Sequence, residues 1–338
     1  MRSHFSREIP FIQHRKQFLI VSAILVTLAI VGICCRGLVL GIEFSGGTEI
    51  DFRNTGDITI EQMRSALADV DEGSATVQTA VTDGADGFLV RSDTTDPTVA
   101  TEHATKAAGT LGLSDDSYKV TTIGPDWGSD ITKSSAEAFI VAILVIIAYV
   151  SIRYEFKMSL TAVASLMHDL IITVGIYAWT QTAITPNVIA ALLTIMGYSL
   201  YDTVVVFHRM NENATALKDG KHRTFYQIAN FSINEVFVRT INTSITSLVP
   251  VIAMIVFGGS TLRDFAFAMA IGLVLGAYST IGVASPLLSM WKTHEEKWTK
   301  LERRYGWDAI AAAEAPAAVE AAEGTTPASA DATESDGR

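Results

Sequence analysis

The segment "GYSLYDTVVVF" (197–207) sets an aspartate, Asp202, inside an apolar run, with Ser199, Tyr201 and Thr203 beside it. An ionised carboxylate at a bilayer centre costs on the order of 2.5–3.5 kcal/mol on insertion scales, so such residues are rare and usually functional. Arg239, followed by "TINTSITS" (240–247), is a candidate partner. The two runs are neighbours across one loop and run antiparallel, so an Asp202–Arg239 pair at similar depth would relieve both desolvation costs. Arg239 has the alternative of snorkelling to the interface; Asp202 is too short to do so. An intramembrane acid beside a guanidinium can gain and lose a proton near neutral pH.

Two further groups of residues have chemistry to offer. His168-Asp169 lies mid-run, and is either an interhelical hydrogen-bonding pair or a proton relay. Thr240, Thr243, Ser244, Thr246 and Ser247 form a hydroxyl-rich patch, with Thr243, Thr246 and Ser247 on the face of Arg239. That face suits either a wet cavity or hydrogen-bonded helix packing. Gly272 and Gly276 make a GxxxG motif, whose first meaning is close helix approach.

Other chemistries find no support. The chain has no G-x-x-x-x-G-K-[ST] loop and no H-E-x-x-H or paired-Cys metal site, so neither nucleotide hydrolysis by that route, nor a metal, nor any other cofactor is expected. Two intramembrane acids could suggest an aspartyl protease sharing one proton. That chemistry needs a G-x-G-D stretch, whereas Asp169 is preceded by Leu-Met-His. Cys34 and Cys35 are adjacent at a run's end, which suits small lipid-facing residues.

These residues must be positioned by membrane helices. About half of the 338 residues are hydrophobic, and they gather into runs near the roughly 20 residues that span a bilayer. Six are expected: Gln17–Cys35, Ala136–Ile152, Ser159–Gln181, Asn187–Phe207, Val236–Phe257 and Asp264–Trp291. The first is too long for a signal-peptide core and lacks a small-x-small cleavage site, so it reads as an uncleaved anchor. Lys and Arg cluster before the first run (1–16), between the second and third, between the fourth and fifth (208–235), and after the sixth. By the positive-inside rule both termini are cytoplasmic. The net charge of −11 comes largely from residues 36–135 and from the tail, and no nucleic-acid partner is expected.

Residues 36–135 then lie outside the cytoplasm. "TEIDFR" (48–53) reads as a strand, and Ile60, Met63, Leu67 and Val70 recur at helical spacing. "ATVQTAV" and "GFLVRS" flank the hairpin-like turn "TDGADG". A second helix near Val99–Leu111 opens after Asp96-Pro97, and "YKVTTIG" is a last strand. The order βαββαβ is that of a small ferredoxin-like α+β domain. It serves as a binding, mechanical or purely structural module. Residues 292–310 form a basic amphipathic stretch suited to the cytoplasmic membrane face. From 311 to 338 the composition is too polar and Ala-rich to order itself.

"GIEFSGGT" (41–48), "IGP" (123–125), "HD" (168–169), "ALLTIMGYSLYDTVVVFHRMNEN" (191–213) and "RTINTSITSLVP" (239–250) resemble, in order, the motifs of the SecF family. Its members are the smaller partners in SecDF protein-export complexes, within the resistance-nodulation-division superfamily. The resemblance implies a six-span subunit of the bacterial inner (plasma) membrane that pairs with six-span SecD beside the SecYEG channel. It would use the proton-motive force to assist late stages of preprotein translocation, and it is not an enzyme. The acid of the family's GYS-x-x-D-T block falls on Asp202 and the arginine of R-T-x-x-T-S on Arg239. Both are implicated in proton transfer in the family; Tyr201, Thr203, His168, Asp169, Thr243, Thr246 and Ser247 are candidates for relay or support. His208 departs from the family's usual acid in F-D-R, and Asn211 replaces a usual arginine. A small-molecule or lipid efflux transporter of the same superfamily is the alternative.

Overall fold

The structure, a computed structural model, describes residues 8–82, 85–216 and 224–307. The tip of the "TDGADG" turn and the tail after residue 307 lie outside the described residues. The element order begins with helix α1 (Arg15–Arg36) and the single turn α2 (Ile42–Ser45). Next come β1 (Gly47–Arg53), α3 (Ile60–Ala68), β2 (Thr76–Thr82), β3 (Ala85–Ser92), α4 (Pro97–Thr110) and β4 (Tyr118–Ile123). Long helices follow: α5 (Pro125–Arg153), α6 (Phe156–Thr180), α7 (Pro186–Ala216), α8 (Phe225–Phe257) and α9 (Ser260–Ser279). A π-helical turn (Thr280–Ala284) joins α9 to α10 (Ser285–Thr293), and α11 (Glu296–Tyr305) ends the described chain.

Among the described residues six helices are long and apolar enough to cross a membrane. Three of them, α5, α7 and α8, run well past the expected apolar runs. α5 starts eleven residues before Ala136, with Pro125 at its first turn, where a missing N–H costs nothing. The expected loop 208–235 is instead mostly helix. α7 continues to Ala216, and α8 opens at Phe225 behind a Thr224–Gln227 capping box. The extensions are held together by polar pairs: Arg209 donates to both oxygens of Glu235 at 2.8 Å, and Asn213 donates to Ser232 at 2.9 Å. Helix is favoured there because neither Gly nor Pro interrupts these stretches and their polar side chains find partners across the pair.

The strands form a four-stranded sheet in the order β2-β3-β1-β4, each neighbour antiparallel. Period-two alternation splits its faces. Ile50, Phe52, Val77, Phe88 and Val90 point to one side, where Met63 and Leu67 of α3 and Ala104, Ala107 and Ala108 of α4 cover them. Both helices are capped as their sequences suggest, α3 by a Thr59–Gln62 capping box and α4 by Asp96, which accepts from Thr98 and Val99. Gly47 holds φ +119, and a Cβ there would overlap the Ser92 carbonyl. The opposite face carries Glu49, Gln78 and Arg91 and meets the bundle. Arg91 donates to Glu49 (2.8 Å) and Gln78 (3.1 Å), and Gln78 donates to the Gln181 carbonyl (2.6 Å) in the α6–α7 turn. The Leu40–Ile184 bridge ties the stretch after α1 to the same turn.

In the bundle, α6 and the α9–α10 helix are the buried elements, whereas α5 and α8 expose most of their surface. Glycine permits the close crossings: a Cβ on Gly175 of α6 would overlap Ala29 of α1, and one on Gly272 of α9 would overlap Ile195 of α7. At the end away from the sheet, Phe207, Met210, Phe225, Ile228 and Leu288 form a compact core. The amphipathic stretch after Thr293 turns its apolar side onto that core. Trp298 is buried with its ring centroid 5.2 Å from that of Phe225, and Gln227 donates to the Tyr305 carbonyl at 2.9 Å. Its apolar face is therefore covered by protein.

Two predictions follow from this packing. Gly175→Ala is expected to destabilise the protein in detergent by about 1–3 kcal/mol, the usual cost of overpacking, whereas Gly197→Ala, whose Cβ would meet nothing within 4 Å, is neutral. Thermal denaturation of the two variants checks this. In the sheet domain, buried Glu72 accepts from His103 (2.9 Å) and Thr94 (2.7 Å). Burial acts to raise its pKa, but the bonds from His103, Thr94 and Ser92 outweigh it and hold the carboxyl below its ordinary value. The unfolded chain therefore takes up this proton first, so the stabilisation is present above the ordinary carboxylate value and is lost as pH falls through the lowered one. Hydrogen exchange is expected to show α4 losing protection across that acidic window, and less steeply in Glu72→Gln.

Candidate proton site in the membrane bundle

The two intramembrane acids occupy opposite situations. Asp169, on α6, is 1 % exposed and fully engaged. Its Oδ2 accepts from the hydroxyls of Ser199 on α7 (2.8 Å) and Ser279 on α9 (2.7 Å), and its Oδ1 lies 3.0 Å from Nδ1 of His168. A carboxylate only accepts, so the imidazole carries its hydrogen on Nδ1. The His168 ring lies beside Tyr278 (centroids 6.2 Å), whose hydroxyl donates to the Phe18 carbonyl of α1 (3.0 Å). Asp169 thus ties α6 to α7 and α9, with α1 joined through Tyr278.

Asp202, on α7, is half-buried, and among the described residues it takes part in no hydrogen bond or ion pair. It borders a cavity of about 430 Å³ between α7, α8 and α9. Tyr198, Ser199 and Tyr201 line it from α7, Thr243, Ser244 and Ser247 from α8, and Gly272 and Gly276 from α9. The two glycines give this cavity a wall without side chains as well as a close helix crossing. The expected Asp202–Arg239 pair does not form. Arg239 donates instead to the Tyr201 hydroxyl at 2.9 Å, one residue before the acid. Consecutive helical residues point about 100° apart, so a guanidinium anchored on Tyr201 stays near Asp202 without pairing with it.

Arg239 also borders a second cavity, of about 460 Å³, with His208, Arg209, Glu212 and Glu235. His208 Nε2 lies 3.3 Å from Glu212 Oε1, and Arg209 bridges Glu212 and Glu235. Where the family's usual acid is replaced by His208, neighbouring carboxylates therefore line the same space. Tyr201 and Arg239 stand between the two cavities.

The remaining expected residues divide. Thr243 and Ser247 face the Asp202 cavity, although the Thr243 hydroxyl donates to the Arg239 carbonyl of its own helix. Thr246 is exposed and donates to the Asn242 carbonyl. Thr203 is buried away from the cavity and shares a hydrogen with Thr280 (3.1 Å) at the π-turn. Ser279 and Thr280 were not singled out from the sequence; the run of hydroxyls Tyr278-Ser279-Thr280 in an apolar span was the available signal. Among the described residues no group of His, Cys, Asp and Glu could hold a metal ion.

The chain has relatives among known proteins and solved structures. Residues 103–294, more than half of the chain, match the family described as protein export membrane protein SecD/SecF, C-terminal. The protein translocase subunit SecF of Desulfurispirillum indicum is 38% identical over 84% of this chain and 92% of its own length. That of Rhodothermus marinus is 36% identical over 85% and 94%, and that of Streptomyces coelicolor 33% over 87% and 79%. Among solved structures, SecDF of Thermus thermophilus, a translocon-associated membrane protein, superposes with a TM-score of 0.77 at 29% identity. The match covers 86% of this chain and 39% of that one, so the chain spans about two fifths of a SecDF polypeptide. A second SecDF structure, in a super-membrane-facing form, matches with a TM-score of 0.63. From sequence and structure alike, the chain belongs to the SecD/SecF family of protein export membrane proteins, as a SecF-type translocase subunit.

Proposed function

We propose that this subunit couples proton flow to preprotein export, with Asp202 as the group that takes up and releases the proton. The contrast between the two acids carries the reading. Asp169 is held by three donors from three side chains. Asp202 has no hydrogen-bond donor among the described residues and borders a cavity large enough for the water that would bring and carry away a proton. Each elementary charge that crosses the membrane yields about 2.3 kcal/mol per 100 mV, which is the energy available for work outside. Arg239 lies within electrostatic reach of Asp202 and is held by Tyr201; its release from that hydroxyl toward the ionised acid is the change that protonation would reverse. The second cavity, with His208, Glu212 and Glu235, is the way to the cytoplasm. Asp169 and His168, joined to the first cavity through Ser199, support it from behind.

The Lys and Arg distribution supports a bacterial inner-membrane location with both termini cytoplasmic, and so a sheet domain on the far side. The order β2-β3-β1-β4 with two helices on one face supports a ferredoxin-like domain. The match to two fifths of SecDF supports a SecD-type partner for the remainder, with a SecYEG-type channel and its emerging preprotein as the wider context.

Asp202→Asn is expected to leave the protein folded and in complex but to abolish the proton-gradient-dependent completion of preprotein export into membrane vesicles. Normal export by this variant under a full gradient would sink the proposal. Asp169→Leu is expected to behave differently. It strands the Ser199 hydroxyl, at about 1–3 kcal/mol, and leaves Ser279 only the 3.3 Å bond to the Gly276 carbonyl, so it lowers the melting temperature in detergent where Asp202→Asn does not. Equal melting temperatures for the two variants would show that the acids are not divided in this way.

A further inference from the structure

The sheet domain rests on the bundle through a patch where carboxylates gather around few cations. Glu49 on β1 and Arg91 on β3 stand directly opposite each other in the ladder, on the face turned toward the bundle. The bond from Arg91 to Glu49 (2.8 Å) is therefore internal to the sheet and needs nothing from the bundle. Asp51, on the same face, is likewise paired within the sheet, to Arg53. What the bundle brings to this patch is more negative charge. Glu43 of α2 lies within electrostatic reach of Glu49, and Asp264, near the start of α9, lies within reach of Glu49, Glu43 and Arg91. α2 stands on the bundle's side of the contact. Phe44 packs against the core around Tyr177 and Ala268, and a Cβ on Gly128 of α5 would overlap the Phe44 carbonyl.

Cations do not balance these acids. Among the described residues the Glu43 and Asp264 carboxylates take part in no hydrogen bond or ion pair. Arg263, beside Asp264, donates to the Ile255 carbonyl, and Arg36 of α1 lies over the Trp179 ring. The α6–α7 turn and β4 present the uncharged Gln181 and Thr121, and Asp126 and Asp130 of α5 are exposed. Burial and like charge both disfavour an ionised carboxylate. Burial pushes the Glu49 pKa above its ordinary value; Arg91 opposes the rise, and Glu43 and Asp51 add to it. A sheet lifted off the bundle keeps Arg91 and Asp51 but loses the burial and Glu43, so Glu49 binds a proton more tightly docked than undocked. The contact is therefore strongest below the ordinary carboxylate value and weakens as pH rises from there through the raised one.

The links allow such a movement. The chain crosses between the two parts at Gly46-Gly47, with φ +75 and +119, and at Gly124-Pro125. The neutral bond from Gln78 to the Gln181 carbonyl spans the contact, and Arg91, which also donates to Gln78, orients it. We infer that this contact is an acid-strengthened latch, in which Glu49 takes up a proton as the sheet docks against Glu43 and Asp264. The topology proposed above puts the latch on the side from which protons enter, so a gradient holds the domain closed on the bundle. That consequence alone rests on the proposed topology.

Double electron–electron resonance on the full chain in lipid nanodiscs, with whatever partner copurifies, tests the latch. Cys34→Ser and Cys35→Ser clear the background, and spin labels go on Thr101→Cys of α4 and Val256→Cys of α8, both exposed. Between about pH 8 and about pH 5 the distance distribution is expected to narrow to one docked peak. One proton raises the docked-to-undocked ratio by up to about tenfold per pH unit. Gln78→Ala removes the neutral bond and brings the undocked form into range if the unaltered joint stays closed throughout. Glu49→Gln is expected to remain docked at both pH values, alone and with Gln78→Ala, because an amide needs no proton. Glu43→Gln, which leaves the sheet untouched, is expected to shift the transition to lower pH. The same distribution at both pH values in the wild type and in Gln78→Ala overturns the latch. So does a pH dependence that Glu49→Gln leaves unchanged. The readout needs neither a proton gradient nor export, so its failure is distinct from a failure of the role given to Asp202.

Discussion

The Asp169 carboxylate accepts from Ser199 and Ser279 on two other helices in an interior where water does not compete. Sliding α6 past either neighbour would strand a charge and two hydroxyls, and unpaired buried groups are costly in hydrocarbon. Membrane helices gain little from the hydrophobic effect against one another, so packing and such bonds carry specificity. The close crossing at Gly272 sets α9 against α7, the two helices whose serines meet at the acid. The π-turn at Thr280–Ala284 falls beside this junction and opens a carbonyl that Ser285 caps at 2.7 Å. π-turns inside helices often mark functional positions.

With three helices locked, the fourth wall is left to move. α8 is mostly exposed, lines the Asp202 cavity on one side and an apolar groove on the other, and carries Arg239. Among the described residues its polar link to α7 beside the Asp202 cavity is the exposed bond from Arg239 to Tyr201. The proposed uptake and release of a proton at Asp202 calls for such a rigid floor and lightly held wall.

The same rigid element reaches the sheet domain. α7 begins at Pro186, next to the turn whose Gln181 and Ile184 are held by Gln78 and by the stretch after α1, and it carries Asp202 near its middle. The acid and the turn that contacts the sheet domain are therefore joined by one continuous stretch of helix.

The residue pattern alone pointed to six spans, an intervening α+β module, and the intramembrane groups Asp169, Asp202 and Arg239, because a run of apolar residues has one low-energy fate and a charge inside it is conspicuous. The capped helices α3 and α4 were legible from Thr59–Gln62 and Asp96-Pro97 for the same local reason. Where helices end beyond the membrane was not legible: Arg209–Glu235 and Asn213–Ser232 stabilise the extensions only because two distant stretches lie side by side. Nor could the sequence distinguish the two acids, since both are carboxylates in apolar runs. Ser199 and Ser279, 80 residues apart, converge on Asp169, and Tyr201 takes the guanidinium expected at Asp202. Composition determined which groups are costly to bury; only the tertiary structure decided which of them found partners, because a hydrogen bond depends on a position within a few tenths of an ångström that spacing along a chain does not specify.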